Sequence, residues 1–82
     1  MTATRKDIED WLEEAKDKKA THLIIAVDTF DYDNYPIFIY SKKECQEKIN
    51  EINGKNMQRI DEVYKMNKNI DKQLKERRVW NV

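Results

Sequence analysis

The chain has 82 residues and a mass of 10.0 kDa, with sixteen Lys and Arg balanced against sixteen Asp and Glu. Charged and hydrophobic residues each make up 39%, and the longest apolar run, Leu23 to Val27, falls far short of the roughly 20 residues of a bilayer span, so a membrane-embedded protein is excluded. A single cysteine builds neither an internal disulfide nor a structural zinc site, and no secretory leader is expected from the charged, apolar-poor start. The length fits one domain over residues 1–82. A domain of this size buries only about 60–65% of its unfolded surface, which is marginal without a partner.

One Gly and one Pro in the whole chain favour long helices over many strands. Thr4-Arg5-Lys6-Asp7 reads as a capping box with Asp in place of Glu. Ile8, Trp11, Leu12 and Ala15 then recur at 0, +3, +4 and +7, which predicts an amphipathic helix from about Arg5 to Lys19. Leu23 to Val27 is short, β-branched and apolar on both alternating faces, as in a covered strand. Asp31 to Asn34 supplies a turn, and Tyr35 to Tyr40 returns as the second strand of a hairpin, with Pro36 at its start or on an open edge.

Ser41-Lys42-Lys43-Glu44 is a capping box for a second helix, with Cys45, Ile49 and Ile52 as its apolar stripe. Gly54 stands where a left-handed C-terminal cap is wanted. Asn56 reads as the N-cap of a third helix running to about Arg78, roughly 22 residues and about 33 Å long. Within it Ile60, Val63, Asn67, Ile70 and Leu74 fall at spacings of 3, 4, 3 and 4, a heptad seam with a polar residue at an a-like position. Such a seam points to a homodimer or higher oligomer, against the alternative of an ordinary helix packed on its own hairpin. A two-stranded hairpin with apolar residues on both faces points the same way, because one face needs a cover. The expected fold is therefore α+β: an N-terminal helix, a two-stranded antiparallel hairpin, a short helix and a long C-terminal helix.

The neutral total hides an asymmetry, since residues 1–54 carry 8 basic and 12 acidic groups and residues 55–82 carry 8 basic and 4 acidic groups. Lys55, Asn56 and Arg59 surround the expected start of the third helix, where free N–H groups attract anions. Without the Gly-rich loop and Lys-Ser/Thr pair this is no P-loop. Asp28, Phe30 and Tyr35 combine rings with polar acceptors, and Arg77 with Trp80 offers a cation beside a ring; both combinations suit nucleobases, ribose and phosphates. Each aromatic also has a plain reading as core or interface filler. Asp31-x-Asp33 fails as a calcium loop because Tyr35 and Pro36 stand where Asp or Asn and Gly are required. His22 reads as structural and Cys45 as a small hydrophobe. No nucleophile–base set is legible, so catalysis, a metal site and a cofactor are not expected. A neutral chain without a recognition-helix motif is not expected to read DNA sequence.

Three blocks carry a resemblance. Ala20-Thr21-His22 with Asp28-Thr29-Phe30-Asp31 and Tyr35-Pro36, then Asn53 to Arg59 with Glu62-Val63-Tyr64, then Gln73-Leu74 with Glu76 and Arg77 or Arg78, look like a family of small phage and prophage proteins. The blocks span roughly residues 20–80. The resemblance implies a phage gene product in the bacterial cytoplasm. Small phage proteins of this kind include counter-defence sponges that sequester cyclic nucleotide or cyclic ADP-ribose signals, an analogy of lifestyle and architecture that no motif carries. The expected function is sequestration of such a signal by Asp28, Phe30, Tyr35, Lys55, Asn56, Arg59, Arg77 and Trp80. The alternative is a protein–protein inhibitor that docks on a host defence enzyme.

Overall fold

The computed structural model describes residues 4–30, 32–55, 57–76 and 79–82. Thr4 opens α1 (Arg5–Asp17) with both halves of the capping box: its hydroxyl accepts from Asp7 N–H at 3.2 Å and its own N–H donates to the Asp7 carboxylate at 3.0 Å. The helix ends because Lys19 turns left-handed at φ 59°, which lets Ala20 N–H reach back to the Ala15 carbonyl at 2.9 Å. β1 (His22–Asp28) follows directly, then β2 (Asn34–Ile39). Ser41 caps α2 (Lys42–Ile52) by accepting from Glu44 N–H at 3.1 Å. Gly54, at φ +75°, takes the left-handed position just beyond it.

The sequence beyond Gly54 departs from expectation. In place of one long helix from Asn56 to Arg78, residues 58–65 form β3 (Gln58–Lys65), and only Ile70–Leu74 coil, as the short α3. The fold is α+β, but its sheet has three antiparallel strands in the order β2-β1-β3 among the described residues. The reason lies in β1. Six of its seven residues are buried, so it needs a hydrogen-bonded neighbour on each side, and β3 supplies the second. Asn67 lies in the turn after β3, and Asn69 caps α3 by accepting from Lys72 N–H at 3.0 Å.

The heptad seam dissolves with the helix. Ile60 pairs with Ala26 and Val63 with Ile24, with a register irregularity at Ile25/Ala26 that leaves Asp61 as the extra residue of a bulge. The bulge puts Ile60 and Val63 on one face although they are three apart in sequence. Both are fully buried in the chain's own core, so neither can serve as an oligomer interface. Ile70 and Leu74 pack from α3 against the opposite face, beside Leu12, and Asn67 is exposed.

Each face of the sheet has its own cover. α1, α3 and Val79 pack on Leu23, Ile25 and Tyr64, while α2 lays Cys45, Ile49 and Ile52 on Ile24, Ala26, Ile39, Ile60 and Val63. The open second face that argued for a homodimer is thus filled by α2. Lys18 sits over the Phe38 ring, 4.4 Å from its centroid, and closes one corner of the α1 side.

Candidate functional site

Antiparallel pairing gathers one end of each strand. The end of β1, the start of β2, the α2–β3 connection and the start of β3 meet there, with Asp28 opposite Gln58 and Val27 flanked by Asn34 and Arg59. This end holds five of the eight ligand residues expected from sequence: Asp28, Phe30, Tyr35, Lys55 and Arg59.

The loops there are firmly pinned. Asp28 donates its N–H to the Asp33 carbonyl at 2.9 Å, and its own carbonyl accepts from Tyr32 N–H at 2.7 Å. Its carboxylate accepts from Phe30 N–H at 2.8 Å, an Asx-type turn. Thr29 N–H donates across to the Met57 carbonyl at 2.8 Å and ties the two loops together. The outcome is an exposed apolar group: Phe30, Tyr32 and Met57 remain 76%, 63% and 57% exposed. Tyr32 and Met57 also hold left-handed backbone, at φ 61° and 58°, which non-glycine residues adopt only at a cost.

The individual roles differ from those expected. The Asp28 carboxylate organises its own loop before it can read a ligand. Lys55 donates its ammonium to the Asn50 carbonyl at 3.0 Å and so caps the end of α2. Tyr35 is half-buried against the α2-side core, and burial, reinforced by Asp28, raises its phenol above the ordinary range. Arg59 is exposed at the start of β3, 3.9 Å from the Asp61 carboxylate, whose other oxygen accepts from the Asn34 amide at 3.2 Å. Phe30 and Arg59 are therefore the ring and the cation best placed to meet a ligand. Trp80 lies elsewhere, on the outer edge of β3, where Val63 N–H donates to the Val79 carbonyl and Asn81 N–H to the Val63 carbonyl, both at 2.9 Å. Asn56 and Arg77 lie outside the described residues.

Sequence reasoning missed a second feature at the opposite end of the sheet, a cleft that includes His22, Lys42 and Lys65. No motif links these residues; pairing across β1 and β3 and the start of α2 bring them together. Elsewhere, burial followed by Glu44 raises the Cys45 thiol, and burial followed by Glu62 pushes the Tyr64 phenol far up. Both groups are inert as nucleophiles near neutrality. Among the described residues no three His, Cys, Asp or Glu side chains gather as a metal site, and no helix is long and apolar enough to cross a membrane. Comparison of the chain with protein-family models, curated proteins and solved structures finds no match.

Proposed function

We propose that this is a phage-encoded, non-catalytic binding protein of the bacterial cytoplasm that sequesters a small nucleotide-derived immune signal at the loop end of its sheet. The observation that carries the reading is Phe30, 76% exposed on a loop whose neighbours are held by four backbone-directed hydrogen bonds and sharing its end of the sheet with Arg59. A rigidly presented bare ring loses hydrophobic stabilisation and offers a stacking face, while Arg59 offers a fork for phosphate. The left-handed Tyr32 and Met57 fit the same pattern, since backbone strain collects where a surface serves binding. Sequestration asks only for binding and slow release, which suits a site whose ionisable groups hold loops.

The test is native mass spectrometry of the purified chain with cyclic dinucleotides, cyclic trinucleotides and cyclic ADP-ribose isomers, backed by thermal shift. A true ligand at 100 times its Kd adds about 2.7 kcal/mol to the stability of the folded state. Phe30→Ala and Arg59→Ala should each abolish uptake and leave the melting temperature of the free protein nearly unchanged, because both side chains are exposed. Uptake that survives both changes removes the loop end as the site.

A second reading has its own observation. Phe30, Tyr32 and Met57 together form an exposed apolar group on two tied loops, the composition of a protein-docking surface. Under it the chain is an inhibitor that docks on a defence enzyme. Nucleotides alone then leave its melting temperature unchanged, and only the protein target raises it.

A further inference from the structure

The cleft at the far end of the sheet is formed by the start of β1, the first turn of α2 and the end of β3, and is walled by Thr21, His22, Lys42, Lys65, Met66 and Asn67. Its volume is about 400 Å3, within the range of roughly 300–1,000 Å3 typical of small-molecule sites.

His22, the single histidine of the chain, is only 2% exposed in this wall. Its Nδ1 lies 2.9 Å from the Thr21 hydroxyl, which in turn lies 3.3 Å from the Ile39 carbonyl. A hydroxyl has one proton, so both contacts are satisfied when Thr21 donates to Ile39 and accepts from Nδ1–H. That assignment leaves Nε2 as a bare acceptor, buried and without a hydrogen-bond partner among the described residues. A buried polar atom in this state calls for an explanation.

The charges around it supply one. Lys65 stands directly opposite His22 in the β1–β3 ladder, Lys42 is the first residue of α2, and β2 places the apolar Ile39 on the remaining side. Neither lysine has a carboxylate partner among the described residues. Lys42 opens an 11-residue helix, whose first turn favours anions, and Lys65 closes β3 on the other wall of the cleft. Burial, then Lys65, then Lys42 hold the imidazole below its ordinary pKa, so near neutral pH it is uncharged.

We propose that this cleft is an anion site for a phosphate-bearing small molecule, with Lys42 and Lys65 holding the phosphate, Ala20 and Met66 meeting the apolar body, and His22 completing the contact from Nε2. A dianion between the two ammonium groups offsets the lysine contribution, while burial, the larger cause, remains; the imidazole pKa therefore rises on binding, and the protonated form, in which Nε2 donates, gains weight. Binding of the anion and protonation of His22 are coupled, and affinity rises as pH falls. The site is separate from the loop end, and it stands or falls independently of the function proposed there.

With one histidine, the imidazole signals in a 13C- and 15N-labelled sample report His22 alone. The full chain is titrated with sodium sulfate, whose charge is constant across the pH range, and with adenosine 5′-monophosphate, at fixed ionic strength. The expected result is a saturable shift of the His22 signals, an imidazole pKa that rises at saturating sulfate, and tighter binding of the nucleotide than of sulfate. Lys42→Gln, an exposed change that leaves the core intact, should weaken binding about tenfold, and Lys42→Ala with Lys65→Ala should remove the shift. Lys6→Ala, at the distant start of α1, should leave it in place and excludes a general loss of positive charge as the cause. His22 signals that ignore both anions, or that respond equally in the double variant, overturn the proposal.

Discussion

Gln73 is a buried polar residue, 2% exposed, in the short helix α3. Its carboxamide stands in for a strand at the end of β3. The oxygen accepts from Lys65 N–H at 2.8 Å and from the Asn81 amide at 2.9 Å, and the amide donates to the Lys65 carbonyl at 2.9 Å. Replacing Gln73 with Ala removes three short hydrogen bonds, each worth about 0.5–1.5 kcal/mol net. Lys65 is only half-buried, so water recovers part of what its backbone loses, and the expected cost is about 2–4 kcal/mol. In a domain of this length each kcal/mol moves the melting temperature by about 4–8 °C, so the variant should melt roughly 10–25 °C lower. Urea denaturation followed by circular dichroism gives the free energy directly, with an unchanged slope expected because the core is untouched. Gln73→Glu keeps the shape but replaces the donor with a carboxylate facing the Lys65 carbonyl, and it should be destabilised as well. A Gln73→Ala variant within 0.5 kcal/mol of the parent, about the limit of an exposed substitution, would refute the role of the carboxamide as a strand surrogate.

Two further outcomes follow from the same geometry. Ile60→Ala should cost about 2–5 kcal/mol with a melting temperature independent of protein concentration, because Ile60 is fully buried within its own chain; a concentration-dependent transition would speak for a helical seam between copies. The imidazole of His22 is held below its ordinary 6.5, so the unfolded chain protonates first on acidification. Its contribution to stability is complete above pH 6.5 and falls as pH drops toward the folded value, with a limiting slope of about 1.4 kcal/mol per pH unit. His22→Gln should flatten the urea-derived stability curve just below pH 6.5, and a parent curve already flat there would contradict the burial of a neutral imidazole.

The first half of the fold was legible because its signals are local. Thr4 and Asp7 fix where α1 begins, Ser41 and Glu44 do the same for α2, and the β-branched run from Leu23 to Val27 marks the covered strand. The second half carries a misleading period for a specific reason. A regular strand places residues two apart on one face, but the bulge at Asp61 places Ile60 and Val63 there at a spacing of three, which is a helical spacing. Asn69 and Ile70 then begin a real helix in phase with that false period, so the pattern runs on to Leu74. Local periodicity cannot show that β1 lacks a neighbour on one side, and that long-range demand decided the outcome. At the candidate site the same limit applies. Asp28, Phe30 and Arg59 share an end of the sheet through strand pairing rather than through a helix start, and the engagement of Lys55 with the Asn50 carbonyl and the separation of Trp80 likewise depend on contacts no spacing records.

The corrected topology also changes what self-association could use. Exposed strand edges are the ready route to pairing between copies, and here both outer edges are blunted. On β3, residues 79–81 bond to Val63 and the Gln73 carboxamide bonds to Lys65, so that edge is occupied along its second half. On β2, Asp28 N–H bonds to the Asp33 carbonyl, which sets Ala26/Tyr35 and Ile24/Ile37 as the bonded pairs and turns the nitrogen of Pro36 outward. The open edge thus lacks a donor at its centre, which is where a proline is tolerated. With the sheet faces covered by helices, the large apolar side chains left exposed for any partner among the described residues are Phe30, Tyr32, Tyr40, Met57 and Trp80. Three of these five stand on the two tied loops beside Arg59. The same end of the molecule is therefore the place to look for a ligand, a target or a second copy, and substitution of Phe30 bears on all three.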